Sequence, residues 1–369
     1  MPERVVVAMS GGVDSSVAAA RLVAAGFDVV GVTLHLWDYP DDGSVRGRCC
    51  APEDIYDARR VADKLGFSHY TFDRRELFER EVVGPFVESY LEGTTPSPCV
   101  RCNRGIKIPE LFRLADRLGA TRLATGHYAR VGEREGKRRL LRARDDDKDQ
   151  SYFLYALDER SLSRLIFPLG ESVKADVRAE GLDLGLYGAE KGESQELCFV
   201  PTGRYDEFVR RRAGDRVRPG AIVDEQGRKV GNHQGVFGFT VGQRKNLGVA
   251  LGKRSYVVHI EAETATVHLG SREALGTSTA LLDELVLAGG VRLPLDAEVS
   301  VRYRSPRVRA RLVRAGDQAE VRFEKPVTAV VPGQAAVFYD GDAVVGGGRI
   351  VKAVARPRHD EAARLGEAP

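Results

Sequence analysis

The sequence predicts an α/β domain built on a parallel sheet at the N-terminus, followed by a small central β-rich domain and a C-terminal β-barrel. Over roughly the first 200 residues, apolar segments of strand length alternate with helical patterns, which indicates a parallel sheet with helices on its faces. From about residue 219, short β-type segments recur between Gly, Pro, Asp and Asn turns. A strand spacing near ten residues is typical of small barrels.

The composition is that of a soluble globular protein. The 369 residues are 43% hydrophobic and 30% charged, and this length predicts about two or three domains. No apolar run approaches the ~18 residues of a membrane helix, and the N-terminus has no signal-peptide pattern. We therefore expect no membrane association and a cytoplasmic location. The net charge of +3 permits an acidic partner without requiring one.

The first strand and the turn after it form the most informative local pattern. Residues 5–7 are β-branched, Ser10-Gly11-Gly12 follows, and a helical pattern opens at Asp14. Backbone N–H groups and the positive end of the helix dipole then converge on one spot, which predicts an anion site. The glycines allow close approach, and serine hydroxyls add donors. The lysine of a Walker A loop is missing from this turn.

The other elements of the N-terminal domain follow in alternation. We predict strands over 27–37, 69–72 and from 122, and helices over 51–65, 76–91 with a break near Pro85, 108–118 and 174–186. Ligands of parallel sheets bind at the carboxyl ends of the strands. Ser10, Leu34 and Gly126-His127 are therefore expected to share one crevice.

The domain boundaries are predicted from the change from alternating strand and helix patterns to short β-type segments. We predict a catalytic domain over 1–200, a central domain over 201–278, a C-terminal barrel over 279–355 and a loose tail over 356–369. The β-type segments beyond residue 219 include 256–260, 266–269, 298–303, 320–323, 335–339 and 349–354.

The five cysteines are an odd number, which argues against a disulfide framework and favours reduced, chemically active thiols. Cys99-x-x-Cys102 is predicted to lie on a Pro-stiffened loop, where neighbouring arginines lower a thiol pKa. With Cys198, these thiolates either hold an iron–sulfur cluster with one open iron or run a persulfide and disulfide cycle. Cys49-Cys50 lacks the spacing of a zinc ligand pair.

Motifs in one fixed order carry a specific resemblance. Ser-Gly-Gly-Val-Asp-Ser-Ser at 10–16 resembles the PP-loop of ATP pyrophosphatases, whose fold is that of the adenine nucleotide alpha hydrolases. Together with further motifs, the chain is similar to the bacterial tRNA-specific 2-thiouridylases over almost its whole length. The motifs are Met-Ser-Gly-Gly-Val-Asp-Ser-Ser (9–16), Thr-Pro-Ser-Pro-Cys-Val-Arg-Cys-Asn (95–103), Ala-Thr-Gly-His-Tyr (124–128), Lys-Asp-Gln-Ser-Tyr-Phe-Leu (148–154), Glu-Leu-Cys-Phe (196–199), Gly-Gln-Arg-Lys-Asn-Leu-Gly (242–248), Arg-Tyr-Arg-Ser-Pro (302–306) and Pro-Gly-Gln-Ala-Ala-Val-Phe-Tyr (332–339).

The resemblance implies a reaction. ATP activates the C2 oxygen of the wobble uridine as an adenylate, and sulfur from a persulfide at Cys198 then displaces AMP. Cys102 is implied to form a disulfide with Cys198 as sulfur is released. ATP and Mg²⁺ are the implied cofactors, with Asp14 either holding the metal or capping its helix. The implied partners are the tRNA anticodon stem-loop and a sulfur-relay protein or sulfide.

The resemblance also assigns site residues. The ATP-binding residues are Ala8, Met9, Ser10, Gly11, Gly12, Val13, Asp14, Ser15, Leu34 and Gly126. Ser97, Pro98 and Cys99 match the segment that meets the target base. The implied tRNA contacts are His127, Lys148, Asp149, Gln150, Arg302, Tyr303 and Gln334. Structural alternatives are a core histidine at 127, solvated charges at 148 and 149, a helix cap at 150 and a core tyrosine at 303.

One position departs from the family pattern. Many members carry Asp where this chain has Cys99, which puts a general-base role there in doubt. Cys99 either joins a cluster with Cys102 and Cys198 or acts as a spare thiol, and Cys49-Cys50 has no implied role. Arginines within 302–314 and 210–218 suit RNA phosphates and bases. Two alternatives are a PP-loop synthetase that adenylates a carboxylate and a non-catalytic RNA-binding module.

Overall fold

A computed structural model describes residues 1–39, 52–190, 197–200, 203–250 and 252–355. The chain divides into two compact units, the first comprising Met1–Pro85, Pro98–Tyr205 and Gly341–Val345. The second comprises Phe86–Ser97, Asp206–Asp340 and the chain from Gly346 onward. Cys49, Cys50 and the predicted tail 356–369 lie outside the described residues. None of the helices within these ranges has the length and apolar character needed to cross a membrane.

The strands are β1 (Arg4–Ala8), β2 (Asp28–His35), β3 (Ser68–Asp73), β4 (Arg122–Ala124), β5 (Arg130–Arg134), β6 (Lys137–Leu141), β7 (Leu165–Ile166), β8 (Gly220–Val223), β9 (Lys229–His233), β10 (Tyr256–Glu261), β11 (Thr266–Gly270), β12 (Gly276–Leu287), β13 (Leu295–Ser300), β14 (Val308–Ala315), β15 (Gln318–Thr328), β16 (Ala335–Asp340) and β17 (Ala343–Ala355). The α-helices are α1 (Val13–Ala24), α2 (Pro52–Leu65), α3 (Arg75–Phe78), α4 (Gly84–Leu91), α5 (Pro98–Cys102), α6 (Ile108–Arg117), α7 (Glu159–Arg164), α8 (Lys174–Asp183) and α9 (Tyr205–Ala213).

A five-stranded parallel sheet forms the centre of the first unit, with the order β3-β2-β1-β4-β7. Val5, Val6 and Val7 of β1 are fully buried. Because consecutive residues of a strand face opposite sides, both faces of the sheet are covered there. Val17 and Ala18 of α1 belong to the same apolar core. The predicted α/β fold is confirmed.

The helix predicted over 76–91 is interrupted near Pro85, as predicted. One π-helical turn, Glu79–Val83, joins α3 to α4, and Pro85 is the second residue of α4. Proline has no N–H to donate to the preceding turn, and its ring crowds the carbonyl four residues before it. Such a position favours an irregular turn in an otherwise continuous helical path.

The Cys99-x-x-Cys102 segment is a helix, so its prediction as a loop is wrong. Pro98 is the first residue of α5, and a π-helical turn at Asn103–Lys107 continues the helical path into α6. The fixed φ of proline suits the first position of a helix. The proline therefore begins a helix instead of stiffening a loop.

The second unit contains two antiparallel-rich sheets. β10, β11, β8 and β9 form a four-stranded sheet whose core includes Ile222, Val257 and Val267. The order β12-β15-β14-β13-β16-β17, with β12 also pairing with β17, closes an antiparallel barrel. The predicted β-rich and barrel architecture is confirmed. The strand predicted over 298–303 ends at Ser300, and Tyr303 lies in the turn before β14.

Candidate functional site

The strand order of the first unit opens a crevice beside β1. The chain runs outward from β1 through β2 to β3, and then places β4 on the other side of β1. This reversal of strand order at β1 and β4 separates the loops at the carboxyl ends of these two strands. α/β proteins bind ligands in the crevice between such loops. The loop Ser10–Gly12 follows β1, and Gly126-His127 follows β4. Leu34, which is buried, precedes the last residue of β2.

Gly126 allows the loop after β4 to lie against the start of α1. A Cβ atom added to Gly126 would lie 2.9 Å from the backbone N of Ser15 and 3.0 Å from the carbonyl carbon of Asp14. Only glycine permits so close an approach of two backbones. Gly126 therefore lies against the first turn of α1, at the edge of the sheet where Ser10, Leu34 and Gly126-His127 are predicted to share one crevice.

Internal hydrogen bonds hold the loop after β1. Ser15 Oγ accepts from the backbone N of Ser10 at 3.1 Å and donates to Gly12 O at 3.0 Å. Ser16 Oγ donates to the same carbonyl at 3.0 Å. Gly11 has φ +75°, and a side chain there would overlap the Asp54 backbone. The loop is thus shaped before a ligand arrives, with its first helical N–H groups available to an anion.

Asp14 binds a lysine that the sequence analysis did not single out. Lys174 Nζ lies 2.6 Å and 2.7 Å from the two carboxylate oxygens of Asp14, and Tyr128 OH donates to Oδ1 at 2.9 Å. The side chain of Lys174 is 12% exposed. Gly12 is the N-cap of α1 and no side chain caps it, so the capping alternative for Asp14 is wrong.

Lys174 carries a signal that sequence inspection can detect. It is the first residue of α8, whose predicted start at residue 174 is confirmed. A cation at a helix N-terminus is repelled by the positive end of the helix dipole, which destabilises the helix. A lysine there is therefore expected to have a partner of opposite charge elsewhere in the fold.

Asp149 and Gln150 are bonded within the first unit. The Asp149 carboxylate accepts from Arg142 Nε at 3.0 Å, Ala143 N at 3.0 Å and Ser151 Oγ at 3.0 Å. Gln150 Oε1 accepts from Tyr128 N at 2.9 Å, and Gln150 N donates to Tyr128 O at 2.8 Å. The alternative that Asp149 is a solvated charge is therefore wrong. The alternative that Gln150 caps a helix is also wrong, because its side chain makes no capping hydrogen bond to the short helix that follows. Lys148, just before them, is half-buried.

The surroundings of His127 favour its neutral imidazole form. Burial, with the nearby charge of Lys107 as a smaller cause, lowers the pKa of His127 to about 3. Its Nδ1 lies 2.8 Å from Thr125 Oγ1. Neutral imidazole both donates and accepts one hydrogen bond, so Nε2 is suited to a polar partner without adding charge.

This pKa shift predicts an acid sensitivity. A group whose folded pKa is below its unfolded value of 6.5 binds protons only on unfolding between about pH 6.5 and pH 3, so stability falls as the pH falls through that window. Between about pH 7.5 and pH 5, His127 is expected to contribute a loss of up to about 2 kcal/mol. Urea unfolding at both pH values should show a smaller pH dependence for His127→Gln than for the parent protein. Equal pH dependence would contradict the prediction.

The cysteine residues differ in their surroundings. Cys99 is exposed and Cys102 is buried, although both lie on α5, while Cys198 is half-buried. The carbonyl of Cys198 accepts a hydrogen bond from Tyr39 OH. The next residue, Phe199, packs edge-to-face on Phe78 at 5.7 Å and on Trp37 at 6.2 Å. This aromatic cluster fixes the backbone that carries Cys198.

Of the two alternatives for Cys99, Cys102 and Cys198, the iron–sulfur cluster is not supported. Among the described residues, which include Cys99, Cys102 and Cys198, no group of three or more His, Cys, Asp or Glu side chains is arranged to hold a metal ion. Helix α5 gives the physical reason, since it buries Cys102 while leaving Cys99 exposed. A cluster needs its thiolates directed to one centre.

The predicted residues of the second unit have their own contacts. Gln334 Nε2 donates to Thr95 O and Pro96 O, both at 3.0 Å, and so holds the chain just before Ser97. Tyr303 is half-buried, with the guanidinium of Arg304 5.2 Å from its ring centre. Arg302, exposed in the same turn, donates its backbone N–H to Ser305 Oγ at 3.3 Å.

Comparison with known proteins gives matches along the chain. Family models described as the tRNA methyl transferase HUP domain, the tRNA methyl transferase PRC-barrel domain and the aminomethyltransferase beta-barrel domain match residues 3–202, 206–271 and 283–350. A tRNA-specific 2-thiouridylase MnmA of Sorangium cellulosum is 60% identical over 357 residues, which cover 95% of this chain and 93% of that protein. The MnmA of Heliobacterium modesticaldum is 45% identical over 359 residues, with the same two coverages.

Solved structures resemble the chain less closely. A 4-thiouridine synthetase–RNA complex with bound ATP is similar at 16% identity and a TM-score of 0.36, over 57% of this chain and 50% of that one. This likeness is too slight to bear on function. The relatives of high identity span nearly the whole chain and the family models match along most of it. The chain therefore belongs to the bacterial tRNA-specific 2-thiouridylase family.

Proposed function

We propose that this protein is an ATP-dependent tRNA 2-thiouridylase, which replaces the C2 oxygen of the wobble uridine with sulfur and releases AMP and pyrophosphate. The observation that carries the proposal is the preformed anion loop at the switch point of a unit that also anchors Cys198. Oxygen on C2 is a poor leaving group, so activation by ATP has to precede the attack of sulfur. Its membership of the 2-thiouridylase family supports the same reaction.

ATP is proposed to bind at the carboxyl edge of the sheet. Residues 8–15 would surround the phosphates, with the N–H groups of the first turn of α1 as the donors. The N–H groups of Met9 and Ser10 are bonded to Val32 O and Ser15 Oγ, and Met9 and Val13 direct their side chains into the core. Buried Leu34 and the Gly126 backbone would bound the adenosine. These roles rest on the strand order and on the contact between Gly126 and the start of α1.

Asp14 and Lys174 are proposed to act on the phosphate chain. Nucleotide-bound Mg²⁺ takes one or two protein carboxylates and completes its shell with phosphate oxygens and water. Asp14 is suited to that mode, and a bound Mg²⁺ would neutralise phosphate charge. Asp14 would then bind the metal in place of Lys174. The Lys174 ammonium would become available to bind the β- and γ-phosphates. In the resting protein the ion pair keeps that ammonium in place.

Adenylation is a displacement at the α-phosphorus. A lone pair of the uridine O2 forms the new P–O bond, and the bond to the α–β bridging oxygen breaks. That electron pair leaves with pyrophosphate, where the Lys174 ammonium would stabilise the developing charge. Neutral His127, beside Gly126, would offer a hydrogen bond to the base without competing for the phosphates.

Sulfur transfer is proposed to use Cys198 and Cys102. The terminal sulfur of a Cys198 persulfide forms the C2–S bond, and the C2–O bond breaks to release AMP. The Cys102 thiolate attacks Cys198 and breaks the S–S bond, before or after that step, which leaves a disulfide that a cellular thiol has to reduce. The sulfur source of the Cys198 persulfide would be a relay protein, whose own persulfide passes its outer sulfur to the Cys198 thiolate. Free sulfide would instead attack C2 of the adenylate directly and release AMP, without forming a persulfide. Exposed Cys99 would lie at the base-facing segment with Ser97 and Pro98.

The tRNA contacts are proposed to be of two kinds. Lys148, Arg302 and Tyr303 would touch RNA directly, through charge or stacking. Asp149, Gln150 and Gln334 are bonded to neighbouring protein groups, so they would shape the RNA-binding backbone. We place the reaction in the cytoplasm, where ATP and tRNA are both present.

The proposal is tested by incubating unmodified tRNA anaerobically with the protein, MgATP and sulfide, followed by nucleoside mass spectrometry. The expected result is 2-thiouridine that appears only when ATP is present. No thiolation, together with AMP formed when a small carboxylate is added, would replace the proposal with a carboxylate-adenylating synthetase. Neither product with any tRNA would leave a binding protein.

A further inference from the structure

The motif Gly-Gln-Arg-Lys-Asn-Leu-Gly at 242–248 is not used by the ATP site or by the cysteines. In the second unit it lines a cavity of about 670 Å³ together with residues that lead into β10. The lining residues are Arg244, Lys245, Asn246, Leu247, Gly248, Val249, Ala250, Lys253, Arg254 and Ser255. The cavity is therefore a feature of one short stretch of chain and its local sheet.

The loop that carries this motif is held firmly. Gln243 Oε1 accepts from Thr240 N at 3.0 Å, and Gln243 Nε2 donates to Lys245 O at 3.0 Å. Backbone bonds join Gly242 N to Val257 O at 2.8 Å and Val257 N to Gln243 O at 2.9 Å. Leu247 packs in the apolar core with Val257. The exposed side chains on either side of Leu247 are therefore presented from a fixed backbone.

The charge of the lining is of one sign. Arg244, Lys245, Lys253 and Arg254 are exposed, and the lining contains no acidic residue. Lys253 reaches Glu225, outside the lining, at 3.7 Å. An exposed ion pair of this length contributes little, so the cavity stays strongly positive. The remaining polar side chains are Asn246 and Ser255, so nearly all hydrogen-bond donors of the lining are cationic and favour an anionic ligand.

We infer that this cavity binds phosphates of the tRNA backbone, at a site separate from the proposed contacts at Arg302 and Tyr303. The inference rests on the proposed function, since tRNA is the polyanion that the reaction requires. Clustered Lys and Arg on a rigid loop, with few groups for base readout, favour contacts that position RNA without reading its sequence. Their role is to raise affinity for any tRNA.

The test is the double variant Arg244→Gln/Lys245→Gln, with tRNA binding measured by filter retention between about 50 and 200 mM KCl. Loss of two phosphate contacts is expected to weaken binding roughly tenfold and to lower the slope of log K against log salt by about 1.4 to 1.8. The matched control is Lys229→Gln/Arg272→Gln, which removes the same charge from exposed positions of the same unit outside the cavity. The control is expected to keep near-parental affinity.

The outcomes separate the two proposals. Parental affinity and slope in the cavity variant, or an equal loss in the control, would overturn the cavity site while leaving the thiolation proposal intact. A parental protein that fails to bind tRNA would overturn the proposed function and the cavity site with it. A circular dichroism spectrum and a thermal unfolding midpoint equal to those of the parental protein would show that the loss of tRNA binding by the cavity variant is not a failure to fold.

Discussion

Cys198→Ser is expected to lose tRNA thiolation by at least about 10³-fold while pyrophosphate release from ATP continues. The physical reason is that a serine hydroxyl cannot accept and pass on a sulfane sulfur, whereas adenylation uses only the ATP loop and the uridine. The fold should persist, because the anchors of this segment are the Cys198 carbonyl and the Phe199 ring, which the substitution leaves in place.

The measurement pairs two readouts on the same sample. 2-Thiouridine is quantified by nucleoside mass spectrometry, and pyrophosphate by a coupled assay, with a cysteine desulfurase and cysteine as the sulfur source. Intact-protein mass spectrometry gives a third readout. Cys102→Ser should retain an added sulfur atom on the protein, because Cys198 can still be loaded but not discharged through a disulfide. Cys198→Ser should carry none.

Two outcomes would contradict this assignment. Thiolation at the parental rate in Cys198→Ser would remove the persulfide from the mechanism and favour a different adenylating enzyme. Loss of thiolation and pyrophosphate release together would show that Cys198 supports the ATP site or the fold and has no separate role in sulfur transfer.

Lys174→Met is expected to weaken binding of MgATP and of magnesium pyrophosphate by about 10²-fold, while AMP binding changes little. The ammonium is proposed to contact the β- and γ-phosphates, which AMP lacks. Methionine keeps the apolar length of the side chain in a pocket where Lys174 is 12% exposed. Asp14 would keep its hydrogen bond from Tyr128 and its favourable place in the first turn of α1.

Isothermal titration with the three ligands measures the effect directly, without relying on turnover. Lys174→Arg retains the charge and is expected to recover part of the affinity. Lys64→Met is the matched control, since Lys64 is in the same unit and donates to Gly185 O at 2.8 Å. An equal loss for AMP and MgATP would make Lys174 a structural partner of Asp14, and unchanged MgATP binding would remove it from the phosphate site.

The parallel sheet could be predicted from residue patterns because its signals are local. The β-branched run at 5–7, the Ser10-Gly11-Gly12 turn and the helical spacing after Asp14 each reflect the preference of a few neighbouring residues. The position of the loop after β4 beside the start of α1 agrees with one general property of parallel sheets, that the carboxyl ends of their strands share an edge.

Other features depended on contacts between distant residues. Lys174 and Asp14 are 160 residues apart in sequence, so nothing local shows that they form an ion pair. The hydrogen bonds that Asp149 and Gln334 make inside the protein likewise cannot be predicted from the sequence. An Asp or Gln that bonds to protein groups and one that faces solvent have the same local sequence pattern. The residue pattern around Pro98 is compatible with both a loop and the start of a helix, and only the continuation of α5 into α6 decides between them.

The sequence by itself determined the fold class, the position of the Gly-rich loop after β1 and the family. Those properties can be predicted from short motifs, because they depend mainly on residues that are neighbours in the chain. Only the tertiary structure decided that Cys99 and Cys102 differ in exposure, that the surroundings of His127 favour its neutral form and that Lys174 faces the loop. Burial and ion pairing depend on contacts between residues that are far apart in the chain, and these contacts form only when the chain folds.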